Sequence, residues 1–250
     1  MRTFTHKVRW EYGMKTLGLI GGMSWESTAL YYEVINRTVK ARLGGLHSAQ
    51  LVVHSVDFHD IEALQRGGQW DQAGLLLARA GRSLVAAGAD ALVLCTNTMH
   101  KVADAIERAV SVPLLHIVDP TAAAIRAAGL SRVGLLGTGF TMEQDFYRAR
   151  LRERGVDCVV PDAADRQLVH RVIYEELCLG IVREESRAHY QRIIGGLRRA
   201  GAEAVVLGCT EIGMLIGPGH TDVPLFDTTQ LHATTAAEWA LGEGVAAAAA

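Results

Sequence analysis

The chain has 250 residues, 49% of them hydrophobic and 21% charged, which excludes a disordered or low-complexity protein and leaves one large domain or two small ones. Its 25 basic and 27 acidic residues leave a formal charge of -2, too little positive field to hold nucleic acid or an anionic membrane, so a small molecule or a protein is the expected partner. Aromatic residues make up 6% of the chain, which is sparse for a β-sandwich and in keeping with helices packed on a sheet.

Residues 1–13 mix charges and aromatics without the apolar stretch of a signal peptide and read as an N-terminal extension. Short apolar runs then predict strands at Leu17–Ile20, Gln50–Ser55, Ala91–Cys95, Leu114–Ile117, Val133–Leu136, Val156–Val159, Ala204–Leu207 and Leu225–Phe226. Amphipathic stretches between them predict helices at Glu26–Arg42, Asp71–Ala87, Val102–Val110, Pro120–Ala128, Met142–Arg154, Asp165–Leu179, Glu184–Ala200 and His232–Leu241. The Ala-rich residues 245–250 read as a tail. Nowhere do about 18 uncharged apolar residues run together, so no membrane span is expected. The cysteines at 95, 158, 178 and 209 form no CxxC pair, which argues against a disulfide framework or a zinc ribbon and for free thiols in a reducing cytoplasm.

This alternation predicts an α/β protein with parallel sheets. It would suit a (β/α)8 barrel, but an internal repeat argues for two lobes. LGLIGGMS at Leu17 answers VGLLGTGF at Val133, GADALVLCTNT at Gly88 answers GAEAVVLGCTE at Gly201, and VPLLHIVDP at Val112 answers VPLFDTTQL at Val223, with offsets of 116, 113 and 111 residues. Such a period marks a duplicated unit. The expected organisation is a first lobe of residues 14–118 and 227–244 and a second of 119–226, facing each other across a cleft.

Each lobe carries a cysteine at the C-terminal end of its third strand, Cys95 and Cys209, where ligands of open parallel sheets sit. Following helix N-termini are expected to lower both thiol pKa values. A thiol hydrolase would want an oriented histidine, and His100 has no evident partner. Two thiols flanking a carbon suit removal of a proton on one face and delivery on the other, which inverts a stereocentre. Thr96, Asn97, Thr98 and Thr210 would then hold the carboxylate of the carbanion, with Ser24, Thr138 and Thr141 donating from the Gly-rich turns. Those turns lack the full GxGxxG fingerprint, so no dinucleotide is expected. Cys95, His100, Cys209 and Glu211 lack metal-ligand spacing, and His54–His59 reads as a solvated turn or a ligand-lining loop, so no metal is expected. Cys158 and Cys178 read as buried apolar residues.

GGMSWEST (Gly21–Thr28), CTNTMHK (Cys95–Lys101) and GCTEI (Gly208–Ile212) resemble the aspartate/glutamate racemase superfamily, closest to its broad-specificity Asp/Glu branch. The resemblance runs from Met14 to about Gly242. It implies two pseudo-symmetric α/β lobes, a homodimer, and racemisation of acidic amino acids without pyridoxal phosphate, any other cofactor or metal. Cys95 would take the α-proton of the D enantiomer and Cys209 that of the L enantiomer. Thr96, Asn97, Thr98, Thr210 and the Met23-Ser24 turn would hold the α-carboxylate and amine. Glu211 stands where glutamate racemases of the superfamily carry His, which moves the likeness toward aspartate racemases. Glu175 stands in a segment where several of those carry a basic residue, leaving Gln65, Arg66 and Lys101 as candidate donors to a side-chain carboxylate, Gln65 foremost. Maleate-type isomerases and hydantoin racemases share the fold and thiols, and a catalytically silent amino-acid-binding protein is the rival from another class.

Overall fold

Leu17–Gly21 forms β1 as a run buried on both faces, the pattern that a central strand of a parallel sheet requires. The computed structural model describes residues 13–243, so residues 1–12 of the extension and the tail 245–250 lie outside the described residues. After β1 come α1 (Trp25–Leu43), β2 (Leu51–Ser55), α2 (Phe58–Arg66), α3 (Trp70–Ala86), β3 (Ala91–Leu94), α4 (Ala103–Glu107) and β4 (Leu114–Leu115). The chain then crosses over through α5 (Val118–Ala127). Beyond it lie β5 (Arg132–Gly137), α6 (Gly139–Glu143), α7 (Asp145–Glu153), β6 (Asp157–Val159), α8 (Ala163–Glu175), α9 (Glu184–Arg199), β7 (Ala204–Gly208), α10 (Ile212–Leu215) and β8 (Leu225–Asp227). It returns through α11 (Thr228–Ala240), which packs on α1 and α5.

Among the described residues the strands form two parallel four-stranded sheets, ordered β2-β1-β3-β4 and β6-β5-β7-β8. The two orders are the same order, so the repeat in the sequence is a duplication of structure and no barrel closes. Side-chain alternation then distributes the core. In β3, Leu92 and Leu94 pack with Leu77 of α3 and Ile106 of α4, whereas Ala91, Val93 and the following Cys95 pack with Tyr31 and Ile35 of α1 and Ala233 and Ala237 of α11. In β7, Ala204 and Val206 face Ile125 of α5 and Leu151 of α7, whereas Val205, Leu207 and the following Cys209 face Val169 and Ile173 of α8 and Ile193 of α9.

All eight predicted strands are present, and the helices differ in detail. The predicted Met142–Arg154 helix is broken at Gln144, whose extended backbone (φ -86, ψ 150) separates α6 from α7. Val102–Val110 shortens to α4 because Thr98–Val102 winds as a 3-10 turn, and α8 ends at Glu175 before a second such turn at Leu177–Leu179. Phe58–Arg66, which begins within the His54–His59 segment read as a turn or loop and otherwise carries no predicted element, is α2, capped by the Asp57 side chain accepting from the His59 amide.

The β1–α1 turn depends on glycine. Gly22 holds φ +92, and a Cβ there would stand 2.1 Å from the Val56 carbonyl oxygen, while its own N–H donates to Thr28 Oγ1 at 2.8 Å. Gly22→Ala combines left-handed strain with overlap against backbone that cannot move aside. It is expected to cost at least about 2–4 kcal/mol, read as a lowered urea midpoint. An unchanged midpoint would show that the turn tolerates a side chain.

Candidate active site

The C-terminal ends of β1 and β3 face those of β5 and β7 across a narrow cleft, with free space of only about 20 Å³. The first lobe contributes Met23, Phe58, Gln65, Thr96, Asn97 and Thr98 to its walls. The second contributes Thr138, Ile173, Tyr174, Cys178, Gly208, Cys209, Thr210 and Glu211. Of the residues expected from sequence, Met23, Gln65, Thr96, Asn97, Thr98, Thr138, Cys209, Thr210 and Glu211 meet here. Ser24 and Thr141 stand one bond behind: Ser24 Oγ donates to Glu211 Oε1 at 2.6 Å, and Thr141 Oγ1 lies 3.4 Å from Thr98 Oγ1 and 3.2 Å from Thr138 Oγ1.

Cys95 is not brought to the cleft, which corrects the expectation of two facing thiols. It is fully buried among the side chains between β3 and the α1/α11 layer, with its thiol directed to the Val93 carbonyl at 3.8 Å. The reason is register. Leu17 pairs with Ala91 and Ile20 with Leu94 in the first sheet, while Val133 pairs with Ala204 and Leu136 with Leu207 in the second. Leu94 is thus the counterpart of Leu207, Cys95 of Gly208, and Thr96 of Cys209. A slip of one residue carries a side chain to the opposite face of a strand. The residue pseudo-equivalent to Cys209, and lining the same cleft, is therefore Thr96.

Cys209 and Glu211 form a buried acid pair. The thiol donates to Glu211 Oε2 at 3.0 Å, an oxygen that also accepts from Thr210 Oγ1 at 2.6 Å. Burial first, and then the Glu211 charge, push the Cys209 thiol well above the ordinary range. The expected lowering by a helix N-terminus is thereby overturned, because α10 is only four residues long and a carboxylate precedes it. Burial likewise raises Cys95. Cys209 rests as a thiol with its proton aimed at a carboxylate.

Asn97 supplies a complementary group. Its Nδ2 donates at 3.0 Å to Thr228 Oγ1, which spends its own proton on the Leu207 carbonyl at 2.8 Å. That fixes the amide orientation and leaves Asn97 Oδ1, buried in the cleft wall, without a partner. Such an acceptor calls for a hydrogen-bond donor from a bound molecule. Thr98 and Thr138, 3.0 Å apart across the two lobes, offer hydroxyls for a carboxylate.

Sequence reasoning missed the remaining wall. Tyr174 donates to Gln65 Oε1 at 3.0 Å and stacks on Phe58 at 6.4 Å, and Trp70 meets Phe140 edge-on at 5.2 Å, so aromatic side chains close the cleft from both lobes. Glu175 is exposed, and it is Ile173, Tyr174 and the nearby Cys178 that reach the cleft. Cys178, read as an inert apolar residue, lines the wall with its thiol raised by burial and by Glu211. Arg66 is exposed and pairs with Glu62, and Lys101 lies over the Trp70 ring at 3.9 Å. The four-residue spacing of Tyr174 and Cys178, from the last turn of α8 into the following 3-10 turn, was the one available signal for them. Among the described residues no group of three or more His, Cys, Asp or Glu is arranged to hold a metal, and no helix is long and apolar enough to cross a membrane.

Residues 20–236 match a family model described as Asp/Glu/Hydantoin racemase. Among solved structures, one from Yersinia pestis described as a "putative Asp/Glu Racemase" is 56% identical, covers 91% of this chain and 100% of that one, and superposes with a TM-score of 0.85. An aspartate racemase homologue from Pyrococcus horikoshii is 34% identical over 91% of this chain and 99% of that one, with a TM-score of 0.79. A glutamate racemase of Streptococcus pyogenes is 29% identical over 126 residues, which are 50% of this chain and 46% of that protein, so the match spans about half the length of that relative.

Proposed function

The chain belongs to the Asp/Glu/Hydantoin racemase family, a family of isomerases, and from that premise we propose that it racemises a free α-amino acid without a cofactor, with Cys209 and Thr96 on opposite faces of the α-carbon. The observation that carries this reading is that these two residues occupy pseudo-equivalent positions of the duplicated lobes and line one cleft. The substrate ammonium sits against Asn97 Oδ1, and the carboxylate against the Thr98 and Thr138 hydroxyls. With its proton passed to Glu211, the Cys209 sulfur takes the α-proton as the C–H bond breaks, and the electron pair left on carbon spreads into the carboxylate held by those hydroxyls. The Thr96 hydroxyl delivers its proton to the other face and regains one from solvent as Glu211 releases the one it holds, which gives the opposite enantiomer. The acid/base pair is thus one thiol and one hydroxyl. A homodimer, implied by the resemblance, and a cytoplasmic setting, suggested by the free thiols, complete the proposal.

Acidic substrates are the reading favoured by the 56% identical relative. A second reading, a neutral side chain, rests on the cleft itself: among the described residues lining it there is no Lys or Arg, and Glu211 adds a carboxylate. Maleate isomerisation or hydantoin racemisation would leave the Asn97 acceptor without an ammonium.

One experiment tests all of these. The protein, dialysed against chelator and hydroxylamine, is incubated in deuterium oxide with single enantiomers of the common amino acids, and α-deuterium and optical rotation are followed. Deuterium entering together with loss of rotation is expected for aspartate or glutamate, or on the second reading for a neutral amino acid. No exchange into any amino acid would overturn the proposal.

A further inference from the structure

Behind the cleft wall lie three buried imidazoles that the chemistry above does not use. His100 and His116 meet edge to face at 4.4 Å, and His232 lies 5.9 Å from His100. They come from the 3-10 turn after β3, from the end of β4 and from α11. They therefore sit where the chain crosses from the first sheet to the second and where it crosses back.

The protons on these rings are fixed by their partners. His100 Nε2 faces the Ile117 amide at 3.2 Å and must accept, which puts the single ring proton on Nδ1, where it donates to the Thr96 carbonyl at 2.7 Å. Burial, reinforced by the neighbouring His116 and His232, holds His100 well below the usual imidazole range and keeps it in that neutral form. One ring thus ties the Thr96 peptide to the first residue before α5. The next residue, Asn97, is tied to Thr228 at the start of α11.

We infer that His100 is a positioning residue for the racemase site: its Nδ1–H fixes the Thr96 carbonyl, and through it the aim of the Thr96 hydroxyl, against the segment that joins the lobes. This rests on the racemase reading above. His100 touches neither the cleft nor any reacting atom, so its effect is geometric, and a reacting group displaced by about 1 Å can lose on the order of 100-fold in rate.

The test separates the two bonds of the ring. His100→Leu fills the space and removes both bonds. His100→Asn places an amide N–H near the Nδ1 position but cannot reach Ile117. Both variants lose the Ile117 bond and should lose thermal stability together. Their rates should part: Leu is expected to lower kcat for racemisation about 10- to 100-fold with little change in KM, while Asn recovers most of it. If the Leu variant does not fold, His100→Gln, which keeps the acceptor toward Ile117 and loses the donor to Thr96, should show the same loss of kcat. Equal kcat in the Asn variant and in the Leu or Gln variant, whether high or low, would overturn the inference. Absence of turnover in the unaltered protein would instead overturn the racemase reading.

Discussion

Replacing Cys209 by alanine is expected to lower racemisation at least about 1,000-fold, while the same change at Cys95 leaves kcat/KM within about 3-fold of the unaltered protein. The contrast follows from the two surroundings. Cys209 stands in the cleft with its thiol on Glu211, whereas Cys95 is a core residue under α1 and α11 whose loss costs packing and no chemistry. Thr96→Ala removes the hydroxyl opposite Cys209 and should suppress inversion. One enantiomer should still exchange its α-proton with solvent in that variant, through the remaining thiol. Chiral chromatography for inversion and proton NMR in deuterium oxide for exchange measure the two separately. Loss of activity in the Cys95→Ala protein, at unchanged stability, would return the thiol pair to consideration and remove Thr96 from its place.

The second large effect is on stability in acid. Burial pushes His116 down to about 2 and His232 down to about 4, with His100 also held well below the ordinary range, and the nearby Arg150 charge lowers His100 and His116 further. All three are neutral in the folded protein at pH 5, whereas in the unfolded chain they take up protons below about pH 6.5. The unfolded state then binds more protons, so stability falls as pH falls, beginning near 6.5 and continuing until the folded protein itself protonates. Above pH 7 both states are neutral and these groups contribute no pH dependence. Each histidine contributes a slope of up to about 1.4 kcal/mol per pH unit, so by pH 5 His116 and His232 together account for roughly 4 kcal/mol, with His100 adding in the same direction. That is comparable to the whole stability of many domains, about 5–15 kcal/mol. His170, half-buried and lowered by burial, acts in the same direction. Urea midpoints taken between pH 8 and pH 4.5 should be level above 7 and collapse below 6. A midpoint level down to pH 5 would mean that the imidazoles are charged or solvated.

The sheets were legible because parallel strands buried on both faces are written as unbroken apolar runs, and LGLIG, ALVL and AVVLG carry little else. The duplication was equally plain. The error at Cys95 came from reading the repeat by its most reactive letter instead of by its register: with GADALVL set on GAEAVVL, the sulfur of one repeat falls opposite a glycine and the threonine opposite the sulfur. The aligned phrases already contained that answer. Other parts of the site had no local signal. His100, His116 and His232 are brought together only by the two crossings between sheets, and Phe58 and Tyr174 meet from different lobes. Composition and periodicity report on neighbours along the chain, and these contacts are between strangers.

The aromatic closure of the cleft bears on how tightly any substrate can be held. In the closed molecule Tyr174 already satisfies Gln65, Thr98 satisfies Thr138, and Ser24 satisfies Glu211, each bond running from one lobe to the other. An arriving amino acid must displace such bonds before it forms its own, so most of its hydrogen bonding is exchanged rather than gained. Ligands that reproduce the displaced pairs recover what they break, and those that cannot are bound more weakly by the difference.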